Sequence, residues 1–322
     1  MQNLQILLNS LPGVAAQGLI WGIMAIGLYI TYKILDVADL TVDGSFCTGG
    51  MTCAVLLTVG CNVWVAMLGA LIAGMAAGFV TGVLHTKLKI PAILSGILTQ
   101  LGLWSVNLAI SSIVDGNFAS SRSLNQLVDK NVLVVSMRYM EEISVGKRPF
   151  FQHPVLVAAV FTAAVILLLY WFFGTELGCS IRATGANGKM ARAQGINTDT
   201  RKLLGLTLSN GLVALSGALL AQYNANAEIN MGRGAIVIGL AAIIIGSVAF
   251  GKVFHNFGLK LLAVSLGAII YYLVIQIVIT MLNIDSNYLK LITAVIVALF
   301  LSVPNLKVGK LFKKQGKEAT HA

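Results

Sequence analysis

The chain has 322 residues, of which 57% are hydrophobic and 11% charged, and its mean hydropathy is +0.86. A soluble domain carries about a quarter charged residues, so a soluble enzyme or binding module is excluded and a polytopic membrane protein is predicted. The net charge of +10 does not indicate nucleic acid, because the basic residues stand at the ends of apolar runs and in the C-terminal tail, where they set membrane orientation.

Met1 to Gly13 is mildly amphipathic and is expected to lie on the membrane surface until Pro12 and Gly13 break it. Lys33 is the first basic residue, so the charged start of a cleavable signal is missing. Val14 to Tyr32 is the first predicted span, since a helix needs about 20 apolar residues to cross the hydrocarbon core. The spans are predicted to be helical throughout, because lipid offers no partner to a free backbone group and no alternating strand pattern is present.

Residues 33–45 carry Asp36, Asp39 and Asp43 before the chain re-enters at Ser45. A helix restarting near Thr41 or Asp43 would leave its positive N-terminal end and unpaired N–H groups inside the membrane, a recurrent way to hold polar solute groups. Thr41, Asp43, Gly44, Ser45 and Phe46 are therefore candidates for a translocation path. An ordinary loop with an aspartate cap is the competing interpretation.

The second span runs to about Val59 and the third from Val63 to Leu84. The basic turn His85 to Lys89 is placed inside by its charge, and Pro91 suits the first turn of the fourth span, which ends near Ser112. Residues 113–153 form the longest polar stretch and are placed outside. Pro154 to Phe173 is the fifth span.

Residues 175–202 interrupt two long apolar runs with Arg182, Lys189, Arg192, Arg201 and Lys202, so this loop is predicted to be cytoplasmic. Asn187 is placed to cap a short helix through Met190, Ala191 and Ala193, which Gly195 ends in a left-handed conformation. Asn197 to Asp199 offers caps for a second helix entering the next span. A short helix across the inner face suits docking to a soluble partner; a solvated loop is the alternative.

Leu203 to Gln222 is the sixth span, with Asn210 and Gln222 as polar groups for the path. Tyr223 to Gly234 connects outside, and Ala235 to Phe250 returns. Gly232, Gly234, Gly239 and Gly246 there form a small-residue face that either packs helices closely or lets them slide, and Gly239 joins the path candidates. Leu259 to Leu282 and Leu289 to Val303 complete about nine spans, before a basic cytoplasmic tail at 305–322. This order places an even number of spans between all the loops assigned to the inside.

Little in the chain suggests catalysis. His85, His153, His255 and His321 show no metal-ligand or acid–base spacing. Cys47, Cys53, Cys61 and Cys179 lie in or beside apolar runs without metal spacing, as packing residues. A phosphate loop would need glycine where Ala183 stands and Ser or Thr where Met190 stands, so the chain is not expected to bind ATP.

Three stretches carry a family resemblance. Gly178 to Gly217, with Arg182-Ala183, Ala193-Gln194-Gly195-Ile196-Asn197 and Leu215-Ser216-Gly217-Ala218, resembles the cytoplasmic loop of ABC-importer permeases of the branched-chain amino acid, simple sugar and nucleoside type. Asp39 to Phe46 resembles that family's broken-helix motif, and Gly232 to Gly251 its glycine-rich late span. The similarity covers most of the chain in order, although Met1 to Gly13 is too short and polar to supply the further first span often described in the family.

The resemblance implies an all-α, polytopic type II ABC-importer permease fold of about nine transmembrane helices (eight to ten), built as one domain over 1–322 in a bacterial-type cell membrane. It implies a non-catalytic subunit without a cofactor of its own, with ATP and Mg held by a partner ATPase. Arg182, Asn187, Lys189, Met190, Arg192, Ala193, Gly195, Ile196 and Asn197 would form the coupling helix that fits a cleft in that ATPase. A solute-binding protein on the outer side, a second copy of the permease and membrane lipid are the other implied partners. An amino acid, of the kind taken up by aromatic amino-acid permeases, is the first-choice solute, with a sugar or nucleoside second. A stand-alone secondary transporter or channel is the competing class; it would call for ionisable residues in mid-span, and the apolar runs hold almost none.

Overall fold

The computed structural model describes residues 2–124, 153–251 and 253–282, with 291, 293–295 and 297–298 beyond them. Most of the predicted ninth span, the tail at 305–322 and most of the 113–153 loop lie outside the described residues. Ten helices and one small strand pair make up the rest. In chain order they are α1 (Gln2–Tyr29), α2 (Val42–Thr58), α3 (Val63–Thr86), α4 (Ala92–Asp115), β1 (Ser121–Ser123), α5 (Pro154–Gly174), α6 (Glu176–Ala186), α7 (Gly188–Ala193), α8 (Thr198–Tyr223), β2 (Asn226–Glu228), α9 (Ala235–Phe250) and α10 (Phe257–Leu282). Among the described residues six segments are long and apolar enough to cross a membrane, and α9 is a shorter apolar helix. This is an all-α polytopic membrane protein.

The first segment corrects one expectation. Pro12 and Gly13 do not break the chain: α1 passes through both, and its membrane-length portion runs from Ser10 to Ile34. Proline removes one backbone bond, but a break within lipid would leave more groups unpaired, so the helix continues. Its last turn, Ile30–Ile34, widens to a π-helical turn that carries Lys33.

At the centre, α8 is buried along almost all of Gly205 to Tyr223 and packs on α1, α2 and α3. Lipid is as apolar as the side chains it would replace, so close approach of backbones, rather than escape from water, drives this packing. Glycine provides it. A Cβ at Gly49 of α2 would run into the Ala214 carbonyl, one at Gly74 of α3 into the Ala214 side chain, one at Gly78 into the Leu206 carbonyl, and one at Gly217 of α8 into the Phe46 carbonyl. The late glycines noted in the sequence pack as well: Gly246 abuts the Ala263 carbonyl of α10, and Gly239 faces Met24 and Leu28 of α1.

Contact order along the helices gives their directions. Ser45 meets Asn210, Gly49 meets Ala214 and Cys53 meets Gln222, so α2 and α8 are parallel. Ser216 bonds the Ile20 carbonyl and Ser209 that of Gly27, so α1 is antiparallel to α8. Gly22 touches Ser265 and Gly18 touches Ile269, while Gly246 touches Ala263 and Gly267 touches Ala242; α10 is thus antiparallel to both α1 and α9. It follows that α2 and α9 run in opposite directions.

All three turns assigned to the inside lie at one end. Lys89, after α3, bonds Asp199 at the start of α8, and His255 and Lys260 share a pocket with Arg182. At the other end, β1 and β2 pair antiparallel with Arg122 opposite Ala227. Arg122 is buried there against Asp115 and the Ser111 carbonyl. A short helix or strand is expected somewhere in the 113–153 stretch, but strands of three residues leave no readable alternation, so the pairing of β1 with β2 has no signal in the sequence.

Candidate functional site

The helix at the Asp39 motif restarts at Val42, as its polar residues suggest. Asp39 starts it: its Oδ1 accepts from the Thr41 N–H at 2.9 Å, while its Oδ2 accepts from Asn210 Nδ2 at 2.7 Å. Asn210 returns the contact through its own oxygen, which accepts from Ser45 Oγ at 2.6 Å. The Thr41 hydroxyl pairs with that of Thr81 on α3 at 2.7 Å. Asp39, Thr41, Ser45, Thr81 and Asn210 are all buried. Asn210 stands on the order of 18 Å from the Thr198 end of α8 at the helical rise per residue, so this polar cluster lies near the middle of the bundle.

Asp43 does something different. Its Oδ1 accepts from the Ile236 N–H at 3.0 Å and its Oδ2 from the Gly234 N–H at 3.1 Å. A side chain in the first turn of α2 therefore caps the first turn of α9. The two helices, 17 and 16 residues long, run in opposite directions and meet at their N-termini. Two positive dipole ends thus converge on one carboxylate. Gly234, at φ +87°, makes the turn into α9, and Gly232 has no room for a side chain against the Asp43 carbonyl.

Beside this junction opens a cleft of about 140 Å³ whose polar wall comprises Asp43, Gln100, Asn107, Asn230 and Arg233, with Trp104 as its aromatic side. Asn107 is 1% exposed, and its Oδ1 has no hydrogen-bond partner among the described residues. Gly44 lines the same cleft. Of the path candidates, Thr41, Ser45 and Asn210 thus share one network and Asp43 and Gly44 border the cleft. Phe46 is buried and stacks on Trp21 at 4.9 Å, Gly239 is a packing contact, and Gln222 lies near the far end of α8, donating to Met67 Sδ at 3.1 Å. Asp39, at the head of the stretch expected to carry the path, joins the buried network, whereas Thr81, Gln100 and Asn107 were not among the candidates. Asp39 stood within the family motif, but the other three come from other helices and carry no local signal.

In the 175–202 loop the caps form where the residue types place them. Asn187 Oδ1 accepts from the Met190 N–H at 3.1 Å to start α7, Gly195 takes φ +82° after it, and Asn197 Oδ1 accepts from the Thr200 N–H at 3.2 Å to start α8. Ala191 is the buried face of α7, while Lys189, Met190, Arg192 and Ala193 face outward; Ile196 is half-buried. Arg192 Nε donates to Thr198 Oγ1 at 2.9 Å, and its guanidinium and Lys89 both approach Asp199. One helix was not anticipated: α6 precedes α7, capped by Thr175. Its glycines weaken the local signal, yet they are what seat it. A Cβ at Gly178 would meet the Phe172 carbonyl, and one at Gly185 the carbonyl of Ile34. Arg182, on α6, is set apart from the α7 group, its guanidinium 5.3 Å from the centre of the Phe257 ring.

A bundle of membrane-length helices with two short helices meeting head to head inside it and a capped amphipathic loop at one end defines a multi-pass membrane permease. Residues 10–302 match the family described as branched-chain amino acid transport system, permease component, and the chain belongs to that family. It is 38% identical over 302 residues to the tyrosine transport system permease protein of Clostridioides difficile, covering 94% of each chain. Identity to the ribose import permease protein RbsC of Escherichia coli K12 is 26% over 305 residues, covering 93% of this chain and 87% of that one. The fold is also similar to a chain of PsaBC from Streptococcus pneumoniae in complex with Fab, at TM-score 0.50 and 13% identity, covering 94% and 90%.

Proposed function

We propose that this chain forms the translocation path of an ATP-driven importer for an amino acid, with an aromatic amino acid as the first choice and a sugar or nucleoside second. The observation that carries this reading is the cleft at the α2–α9 junction. Helix N-termini and Arg233 suit a carboxylate, the Asn107 and Asp43 oxygens suit an ammonium group, and Trp104 offers a face to an aromatic side chain. A sugar has no use for the paired charges. The tyrosine permease relative points the same way.

The end bearing α6 and α7 is the cytoplasmic one in this reading, because Lys87, Lys89, Lys189, Arg192 and Arg201 gather there. A separate ATPase binds the exposed face of α7, and ATP and Mg belong to that subunit; this chain supplies no catalytic group. Closure of the ATPases pushes α7, which passes the force through the Asn197 cap directly into α8 and so to Asn210, Asp39 and α2. A second copy of the chain completes the path, and a solute-binding protein delivers solute at the β1–β2 end.

Uptake of labelled tyrosine and labelled ribose by proteoliposomes holding the permease, its ATPase and its binding protein tests the proposal. ATP-dependent tyrosine uptake that Arg233→Gln weakens is expected. Ribose uptake in its place, or transport driven by an ion gradient without ATP, would overturn it. Ala191→Pro should leave the permease folded in the membrane while abolishing uptake, since the Ala191 N–H donates to the Asn187 carbonyl at 3.0 Å and proline cannot.

A further inference from the structure

A second site lies at the α6–α7 end, away from the solute cleft. A pocket of about 270 Å³ opens between the π-helical turn that ends α1, helix α6 and the start of α10, and Lys33, Arg182, His255 and Lys260 all line it. No carboxylate contributes to the lining, and none of these four side chains forms an ion pair among the described residues. Three basic side chains therefore share one pocket with no ion-pair partner among the described residues, an arrangement that self-repulsion disfavours until an anion enters.

The pocket is shaped by the fold. The absence of a side chain at Gly185 lets α6 reach the backbone of Ile34 and Leu35, so that Arg182 and Lys33 line the same pocket. The Phe257 ring holds the guanidinium from the α10 side, a cation–π contact.

Next to it, sharing Arg182 and Phe257, is a larger groove of about 460 Å³ lined by Tyr170, Trp171 and Phe173 at the end of α5. Tyr170 and Trp171 are 56% and 72% exposed. Exposed Tyr and Trp at the end of an apolar span mark the level of the lipid headgroups. A basic pocket joined to an aromatic groove at that level matches an amphiphile, with an anionic head in the first and a hydrocarbon chain along the second.

We propose that Lys33, Arg182 and Lys260 bind the phosphate of an anionic phospholipid whose acyl chain lies along Tyr170, Trp171 and Phe173. The lipid would tie α6, and through it the loop, to α1 and α10. A free phosphate shares the head chemistry but not the chain.

The full chain, purified and placed in nanodiscs or detergent, is titrated with phosphatidylglycerol, phosphatidylcholine or inorganic phosphate, with binding read by native mass spectrometry and thermal shift. Phosphatidylglycerol should bind at least about tenfold more tightly than phosphatidylcholine, as expected for several cations at one headgroup. The triple variant Lys33→Gln, Arg182→Gln, Lys260→Gln should lose that preference while melting like wild type in phosphatidylcholine. Trp171→Ala should weaken phosphatidylglycerol binding and leave phosphate binding unchanged. Equal binding of the two lipids, or a preference that survives the triple variant, overturns the proposal. So does inorganic phosphate reproducing the whole shift, which would make the pocket a site for a soluble anion. Loss of ATPase capture by the triple variant with lipid preference intact would assign the cations to a protein partner instead.

Discussion

The α2–α9 junction and the α7 loop are both polar interruptions of an apolar chain, but they are stabilised in different ways. At the junction the polar side chains are buried or half-buried and draw partners from far away in sequence: Asp39 from Asn210, Asp43 from Gly234 and Ile236, Thr41 from Thr81. In the loop the caps are satisfied within a few residues, Asn187 with Met190, Asn197 with Thr200 and Arg192 with Thr198, and the long-range pair, Lys89 with Asp199, is exposed. A polar group in a dry interior costs several kcal/mol unless it is paired, so the junction holds only as part of the assembled bundle. The exposed face of the loop meets solvent, where water replaces a lost bond cheaply.

That contrast sets a scale for mutations. The largest effect is expected at the glycine seam that brings the junction helices together. Gly49→Val would drive a side chain into the Ala214 backbone, costing about 3 kcal/mol or more, and should abolish monodisperse protein in detergent. Gly102 on α4 has open space where a side chain would stand, with nothing within 4 Å, so Gly102→Val should remain folded in the same chromatographic assay. If both variants behave alike, the seam is not what holds the centre.

Next comes Asn210→Leu, which removes the amide from Asp39 and the acceptor from Ser45. Leaving a buried carboxylate short of a donor costs about 3 kcal/mol, and the thermal midpoint should fall accordingly. Asp39→Leu combined with Asn210→Leu should recover part of the loss, because both partners are then apolar. A strictly additive double variant would show that the pair is not coupled.

Asp43→Ala should cost about 1 to 2 kcal/mol, the range for a lost helix cap, while Asp43→Asn keeps an acceptor for α9 and loses less. Transport should fall more than stability in Asp43→Ala if the cleft holds solute. The smallest effect belongs to the loop: Asp199→Asn removes exposed pairs with Lys89 and Arg192 and should change the melting temperature by the equivalent of less than about 1 kcal/mol. A larger shift would mean that the loop is more tightly built into the bundle than its exposure indicates.

The uneven legibility of the chain follows the same division. Asn187, Gly195 and Asn197 could be read because a helix cap is a local interaction between neighbours. The restart near Thr41 could be read because polar residues in an apolar run need helix ends. Pro12 was misread because its rule was learned from water, where a broken helix is resolvated, and lipid reverses that preference. Gly178 and Gly185 weakened the signal for α6 while serving to dock it.

Composition alone established an all-α, multi-pass membrane protein, and the residue types of Asn187, Gly195 and Asn197 the caps of its polar interruption, because hydrocarbon thickness and backbone pairing leave few other solutions. Tertiary structure alone decided that α2 and α9 meet end to end, that Asp43 serves the helix it does not belong to, and that Asn107 and Arg233 share a cleft. Those contacts join residues up to nearly two hundred positions apart, and side-chain periodicity records which face of a helix is buried without recording which helix covers it.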